Sequence, residues 1–203
     1  MRYGFLVETY ETEIQKVLSV WSMFDDADLS VRPHSTDSRG RNLREHMVHQ
    51  CVSENLWFKT MLGIAVTDDP LPAEETRLGF LRCYAANAAL RLVALRAKPD
   101  AWWEEESHFF EVRRTLAWVM VRRIAHTAHH RGQQTTLLRM INHELHSTYG
   151  PTADTGGLMQ NHAPVIYAYL EVETMLREEA DERRKKRLPG PGKNAATERP
   201  EPA

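Results

Sequence analysis

Apolar residues recur at intervals of three and four along most of this chain, and such spacing predicts helices. Four long runs follow the pattern, and a shorter one follows it nearer the end of the chain. We predict helices over residues 3–24, 42–63, 73–98 and 115–142, with a last helix over 164–180. Asn42, with Glu45 three residues later, and Thr115 are residue types that cap helix N-termini, so they support two of these boundaries.

The segments between these runs lack a regular period. Residues 100–113 contain several aromatic side chains, but their spacing fits neither a helix nor a strand over a useful length. A long loop rich in Gly, Thr and Pro follows the fourth helix, and no alternating pattern predicts a strand. The sequence therefore predicts an all-α fold, an up-and-down four-helix bundle with an extra loop and helix on its C-terminal side.

Length and composition favour one folded domain and a short tail. A chain of 203 residues can bury one sizeable core, so we place the bundle domain at residues 1–181. Residues 182–203 combine a basic cluster with many Pro, Gly and charged residues. Such a composition buries too little apolar surface to offset the entropy of ordering, which predicts a disordered tail.

Charge and cysteine content exclude several classes of protein. The formal net charge of −2 gives no general attraction to nucleic acid or anionic membranes. Two cysteines, Cys51 and Cys83, are too few for a disulfide framework and are typical of a reducing compartment. The N-terminus does not have the pattern of a signal peptide, and no run approaches the ~20 apolar residues of a membrane span. We therefore expect a cytoplasmic protein with neither nucleic-acid nor membrane partners.

The strongest chemical signal is a pair of histidines in the fourth predicted helix. His126 and His130 are four residues apart, so their imidazoles lie on one helical face, one turn apart. Two converging imidazoles form half of a typical site for a transition-metal ion. Thr127 stands where zinc proteases of the HExxH type carry their Glu, so that class is excluded. His129 lies close enough around the helix to stay an alternative ligand.

A metal site needs at least a third ligand, and the second predicted helix offers several. His46, His49, Cys51 and Glu54 all lie in this helix. Cys51 points about 160–200° away from His49 around a helix, which disfavours the thiol. Periodicity alone leaves both histidines open.

Two motifs resemble the DinB superfamily, also called DinB/YfiT-like. These motifs are LREHMVHQCVSENLWF in the second helix and HTAHHRGQQTTLLR in the fourth. The resemblance implies that His49, His126 and His130 hold one divalent ion, which would be zinc, nickel or iron, and that the protein is a homodimer. His46 occupies a position that is usually apolar in the family. Gln133, one turn beyond His130, is predicted to orient a bound ligand.

The same resemblance suggests the chemistry. Members of this superfamily include thiol-dependent transferases and an isomerase, and others are suggested hydrolases. We expect a metal-dependent enzyme that transfers a low-molecular-weight thiol to a small electrophile. The alternatives are a metal-dependent hydrolase and a stress protein that binds a metal or small ligand without catalysis.

The loop over residues 149–164 suggests a lid. It follows the helix that carries the histidine pair, and its length allows an extended chain to return to His130. In that case Asp154 or His162 would approach the ion. The alternative is that the loop caps the end of the bundle or supports a dimer contact.

Overall fold

Four long helices form the bundle, and they match the four predicted runs. The computed structural model describes residues 2–181 and 185–193. The helices are α1 (Gly4–Ser22), α2 (Leu43–Thr60), α3 (Arg77–Arg96) and α5 (Leu116–Met140). The prediction of an all-α four-helix bundle is confirmed.

The segment that lacked a period forms two small elements between α3 and α5. Its first part is a short helix, α4 (Asp100–Glu104), and its second part is an antiparallel hairpin of β1 (Glu106–Phe109) and β2 (Val112–Thr115). No strand was predicted here, because strands of four residues are too short to establish an alternating pattern. The hairpin leads directly into α5 and therefore stands at its N-terminal end.

Two of the predicted caps are present at the helix starts. The Asn42 side chain accepts a hydrogen bond from the Glu45 backbone N–H at 2.8 Å, and the Glu45 carboxylate accepts one from the Asn42 N–H at 2.8 Å. Thr115 Oγ1 accepts a hydrogen bond from the Trp118 N–H at the start of α5. These bonds satisfy N–H groups that have no partner within the first turn of a helix.

The last helix, α6, is shorter than predicted. It covers Val172–Ala180, so the prediction that it begins at residue 164 is wrong. The preceding chain pairs with the segment after α5 instead. The Ser147 N–H donates to the Ile166 carbonyl at 2.8 Å, and the Ile166 N–H donates to Ser147 Oγ at 3.0 Å. These bonds hold the chain extended over a stretch whose apolar spacing also fits a helix.

The directions of the helices depart from the predicted up-and-down alternation at one connection. Arg44 near the start of α2 pairs with Glu75 just before α3, whereas Arg91 far along α3 lies over the ring of Phe58 near the end of α2. These contacts make α2 and α3 parallel, so the order is up-down-down-up. Residues 61–76 provide about 50 Å of extended chain, enough to return along the roughly 27 Å length of α2.

Part of the predicted tail is packed. Leu188 is buried, His146 Nε2 hydrogen-bonds the Lys186 carbonyl at 2.7 Å, and the Gly190 N–H donates to the Asp154 carbonyl at 3.1 Å. Gly192 approaches the Gly156 backbone so closely that a Cβ there would lie 2.4 Å from the Gly156 carbonyl oxygen. Residues 185–193 thus contact the segment after α5, and the division into a domain over 1–181 and a disordered tail over 182–203 stays a prediction. The remainder of the predicted tail, residues 182–184 and 194–203, lies outside the described residues.

The prediction that no run approaches the length and apolarity of a membrane span is wrong for α3. Among the described helices, α3 is long and apolar enough to cross a membrane by length and composition, with a mean hydropathy of 1.3. Its buried face packs against α1, where Phe80 and Tyr84 contact the Trp21 ring. Its Arg91 is buried in an ion pair within the bundle. These contacts are those of a core helix.

A buried carboxylate joins all four helices at the centre of the bundle. Glu54 on α2 is fully buried and accepts hydrogen bonds from Tyr10 on α1 at 2.7 Å and from Tyr84 on α3 at 2.7 Å. Arg91 on α3 donates to the same carboxylate at 3.0 Å, and Arg123 on α5 lies 3.6 Å from it. Burial, followed by the charge of Glu54, raises the pKa of both tyrosines, which keeps them as hydrogen-bond donors.

We expect Glu54→Gln to lower the free energy of unfolding by about 3–5 kcal/mol, because it leaves two buried guanidinium groups without their counter-charge. Urea denaturation followed by circular dichroism measures the loss. Glu106→Gln removes an exposed ion pair with Arg113 and serves as the control, with an expected change within about 0.5 kcal/mol. Equal stability of the two variants would contradict a central role for the buried carboxylate.

Candidate metal centre

The three predicted histidines meet in the groove between α2 and α5. His49 comes from α2, His126 and His130 come from α5, and one ring nitrogen of each lies within 4.8 Å of the others. The Nε2 atoms of His126 and His130 are 3.2 Å apart. The centroid of the His49 ring lies 4.6 Å from that of His130 and 5.4 Å from that of His126. We call this group the histidine triad.

The surroundings of the triad favour the neutral form of each imidazole. Burial and the nearby Arg123 charge lower the pKa of His126 to about 4, and burial and the neighbouring His126 lower that of His130 to about 3. Burial and the charge of Arg41 also lower the pKa of His49. A neutral imidazole carries the free lone pair that a metal ion needs, so no proton has to be displaced at neutral pH.

One partner orients the ring of His130. Its Nδ1 lies 2.9 Å from Gln133 Oε1, and since that oxygen only accepts, the Nδ1–H donates. The Nε2 lone pair of His130 therefore faces the triad. Metal-ligating histidines commonly donate their other N–H in this way, which holds the tautomer and the ring orientation. The predicted role of Gln133 in orienting a bound ligand stays a prediction.

The donors fit a divalent transition-metal ion. Two nitrogens bound to one ion at ~2.1 Å and an angle of 90–110° are separated by about 3.0–3.4 Å, and the two Nε2 atoms lie in this range. The buried Nδ1 of His126 has no hydrogen-bond partner among the described residues, and the Nε2 of this ring has only the Nε2 of His130 within hydrogen-bond distance there. Three neutral nitrogens without a carboxylate or thiolate suit a transition-metal ion rather than calcium or magnesium.

The other candidates from the sequence lie outside the triad. His46 is buried, and its ring centroid is 5.7 Å from that of His130, but it is not part of the group of converging nitrogens. His129 is exposed, its ring centroid lies 5.0 Å from that of His130, and it is not part of the group either. Cys51 is buried in the core cluster, and Glu54 serves the central network. His49 is thus the member of α2 that completes the triad.

Trp57, to which the sequence motif assigned no role, packs against the predicted metal ligand His126. The Trp57 ring stacks on His126 with an interplanar angle of 28° and a centroid distance of 5.6 Å. The guanidinium of Arg123 lies 5.5 Å from the same indole and donates to Ser53 and Thr127. The sequence contained a signal for this contact. Ser53 and Trp57 follow His49 at intervals of four residues, which places all three on one face of α2.

The loop after α5 does not bring Asp154 to the triad. The Asp154 carboxylate pairs with Arg139 in the last turn of α5 and accepts a hydrogen bond from the Leu145 N–H at 2.7 Å. Tyr149 donates to Glu13 on α1 at 2.9 Å. The prediction that Asp154 approaches the ion is therefore wrong. His162, the other candidate, is exposed on the same loop. These contacts support the alternative in which the loop caps the end of the bundle.

A second group of potential ligands has a structural explanation. Asp25, Asp28 and His143 also have ligand-type atoms within 4.8 Å of one another. The Asp28 carboxylate already accepts the Asp25 N–H at 2.7 Å, and His143 Nδ1 lies 3.1 Å from the Met23 carbonyl. The group thus joins the turn after α1 to the segment after α5.

Comparison with known proteins agrees with this fold. The model of the DinB family matches residues 6–157. A DinB-like protein from Bacillus cereus superposes with a TM-score of 0.61 at 17% identity, covering 71% of this chain and 95% of that one. A DinB-like protein from Bacillus subtilis gives 0.53 at 14% identity, covering 68% and 92%. No curated protein matches the chain. Because the family model spans most of the chain and both motifs contribute to one triad, this protein belongs to the DinB family.

Proposed function

We propose that the protein binds one divalent metal ion through His49, His126 and His130 and uses it to activate a small thiol for transfer to an electrophile. The observation that carries the proposal is the convergence of three neutral imidazoles in a partly exposed groove. Among the described residues no carboxylate or thiol joins the triad, which leaves room for a substrate atom as a further ligand. An ion bound there would act as a Lewis acid that lowers the pKa of a coordinated thiol or water.

The surroundings of the triad favour an anionic reactant. Arg41 and Arg122 are exposed, and their positive charges act on His49 and His126 respectively. Neither arginine has an ion-pair partner among residues 2–181 and 185–193, whereas Arg123 is paired with Glu54. Unpaired cations beside a neutral triad attract an anion and stabilise a thiolate over a thiol.

The protein supplies no reactive thiol of its own near the site. Burial is the main cause of the raised pKa of both cysteines, Cys51 and Cys83. The Sγ of Cys83 also donates a hydrogen bond to the Pro70 carbonyl at 3.2 Å. Thiols with raised pKa values are poor nucleophiles at neutral pH. A thiol nucleophile would therefore come from a low-molecular-weight co-substrate, which agrees with the chemistry that the family resemblance implies.

The chain's own residues perform the positioning. Gln133 holds the His130 ring through its Nδ1–H, and the Trp57 indole supports the face of His126. Arg123, buried between α2 and α5, holds both helices through Ser53 and Thr127. Orientation by such fixed groups lowers the reorganisation that a reaction at the triad would need.

Hydrolysis is the second candidate reaction, and it has less support. Zinc hydrolases of the HExxH type use a Glu as general base, and Glu54, the buried acid of α2, is occupied by two tyrosines and an arginine. A protein that only binds the metal or a ligand would share the same triad. The homodimeric state, the cytoplasmic location and the lack of nucleic-acid or membrane partners stay predictions.

We expect His126→Ala to abolish stoichiometric binding of zinc or nickel, because two imidazoles hold a divalent ion much less tightly than three. Elemental analysis of dialysed protein measures the metal content. The matched control is His129→Ala, which removes an exposed histidine three residues along the same helix and leaves one ion per chain. Retention of the ion by the His126 variant would overturn the metal site.

We expect Gln133→Ala to weaken metal affinity by about 10–100-fold, since the His130 ring loses the acceptor that orients it. Competition with a chromophoric chelator measures the affinity. Gln133→Glu keeps an oxygen acceptor for the Nδ1–H and restores most of the binding. If both variants bound as tightly as the parent protein, this hydrogen bond would have no role in holding the ligand.

The proposed reaction is tested by following free thiol in a mixture of a small thiol and an electrophile. We expect metal-loaded protein to accelerate thiol consumption, and the His126→Ala variant to match the rate without protein. Glutathione, bacillithiol and mycothiol are compared as donors, and an ester is tested in parallel. Ester cleavage without thiol consumption would favour the hydrolase, and stoichiometric metal with no turnover of either would favour a binding protein.

A further inference from the structure

The tip of the β1–β2 hairpin carries a phenylalanine in a strained backbone conformation. Phe110 has a φ of +54°, and it is the only non-glycine residue of the hairpin with a positive φ. Because Phe109 pairs with Val112, residues 110 and 111 form a two-residue turn. A positive φ at the first central residue matches a type II′ turn, in which this position is normally glycine. A bulky side chain there is unfavourable and requires a compensating role.

The Phe110 ring meets the rings of Phe109 and Trp57 edge to face, yet most of its surface stays exposed. It is 68% exposed, although a large aromatic ring is stabilised mainly by burial. Its neighbour Phe109 already anchors the hairpin, with its ring 5.3 Å from Trp57 and 4.9 Å from Trp118. Stability of the hairpin therefore explains Phe109 and leaves Phe110 unexplained. Strain combined with exposure is typical of residues that serve a binding site.

A continuous series of ring contacts joins Phe110 to the histidine triad. The Phe110 ring meets the Trp57 ring edge to face at 6.3 Å, and Trp57 stacks on His126 at 5.6 Å. Trp118, Arg122 and His126 follow one another at intervals of four on α5, so the hairpin stands at the same end of the groove as this row. The exposed ring is thus separated from a metal ligand by one indole.

We propose that Phe110 is a substrate-binding residue whose ring forms an aromatic wall beside the triad. The wall is the exposed ring of Phe110, backed by the buried Trp57 indole, and it contacts a planar apolar group of a substrate whose polar end reaches the metal. This inference rests on the proposed function, because it requires an ion on the triad. It adds a substrate class: small molecules that combine an anionic or thiol group with an aromatic or similarly flat apolar group. Rings packed edge to face or offset against such a group gain affinity beyond simple burial.

Two simple hydroxamates test the wall without requiring knowledge of the natural substrate. Acetohydroxamate and benzohydroxamate offer the same two oxygens to a metal and differ in a methyl against a phenyl group. Binding to the cobalt(II)-loaded protein is followed by visible absorption. We expect benzohydroxamate to bind about three- to tenfold more tightly than acetohydroxamate, as expected for one added aromatic contact.

The variants separate the ring from the backbone strain. Phe110→Gly and Phe110→Ala both remove the ring, so both should bind the two hydroxamates with nearly equal affinity. Phe110→Tyr keeps the ring and the preference. Phe110→Gly should melt a few degrees above Phe110→Ala, because glycine accommodates the positive φ without strain. Phe5→Ala, which removes a similarly exposed phenylalanine from α1, is the control and leaves the preference unchanged.

The outcomes distinguish this inference from the metal site on which it rests. If both hydroxamates bind the parent protein and Phe110→Gly keeps the phenyl preference, the wall is wrong and the metal site stands. If neither ligand binds cobalt-loaded parent protein, the open metal site fails, and the wall fails with it. A change in oligomeric state on removal of the ring, with the phenyl preference intact, would also overturn the wall and identify Phe110 as a contact between copies.

Discussion

The buried carboxylate of Glu54 is the interaction on which the rest of the bundle depends. Tyr10 on α1, Tyr84 and Arg91 on α3, and Arg123 on α5 all converge on this side chain of α2. A buried charge is costly unless its partners are well placed, so each helix must present its donor at one rotation and one height. Apolar packing alone tolerates small rotations, whereas this network does not.

The same network positions the histidine triad. Glu54 lies little more than one turn after His49 on α2, and Arg123 lies one turn before Thr127 on α5. When Arg123 faces Glu54 and donates to Ser53, the row that carries His126 and His130 is turned towards His49. The charge of Arg123 also lowers the pKa of His126. One buried arginine thus holds the two helices together and adds to the effect of burial, which is the main cause that lowers the pKa of this ligand.

Two segments are added to the four-helix bundle, the chain after α5 and the β1–β2 hairpin, and they contact different parts of it. The chain after α5 packs on α1 and on the last turn of α5, through Tyr149 with Glu13 and Asp154 with Arg139. The hairpin before α5 stands beside Trp57 at the triad end of the groove. The described chain after α5 therefore leaves the groove between α2 and α5 open. Of the two added segments, the β1–β2 hairpin is the one placed to contact a substrate.

The features that the sequence determined by itself all depend on interactions between residues close together in the chain. Helix periodicity predicted four long helices, cap residues such as Asn42 and Thr115 located two of their starts, and a spacing of four placed His126 and His130 on one face. Each of these properties depends on residues within one or two turns. The residues alone left His46 and His49 equally open, and the family resemblance pointed to His49 before the structure brought it to the triad.

Tertiary structure decided the features that depend on distant partners. The rotation of α2 about its axis brings His49 rather than His46 into the triad. This rotation is set by Glu54, which must face Tyr10 and Arg91 across the bundle. The parallel course of α2 and α3 follows from a long connection that has no periodic signal of its own. The extended chain before α6 is held by Ser147, nineteen residues away, which overrides a local spacing that also fits a helix. Short-range patterns do not record such contacts, and packing energy alone selects among the structures that those patterns permit.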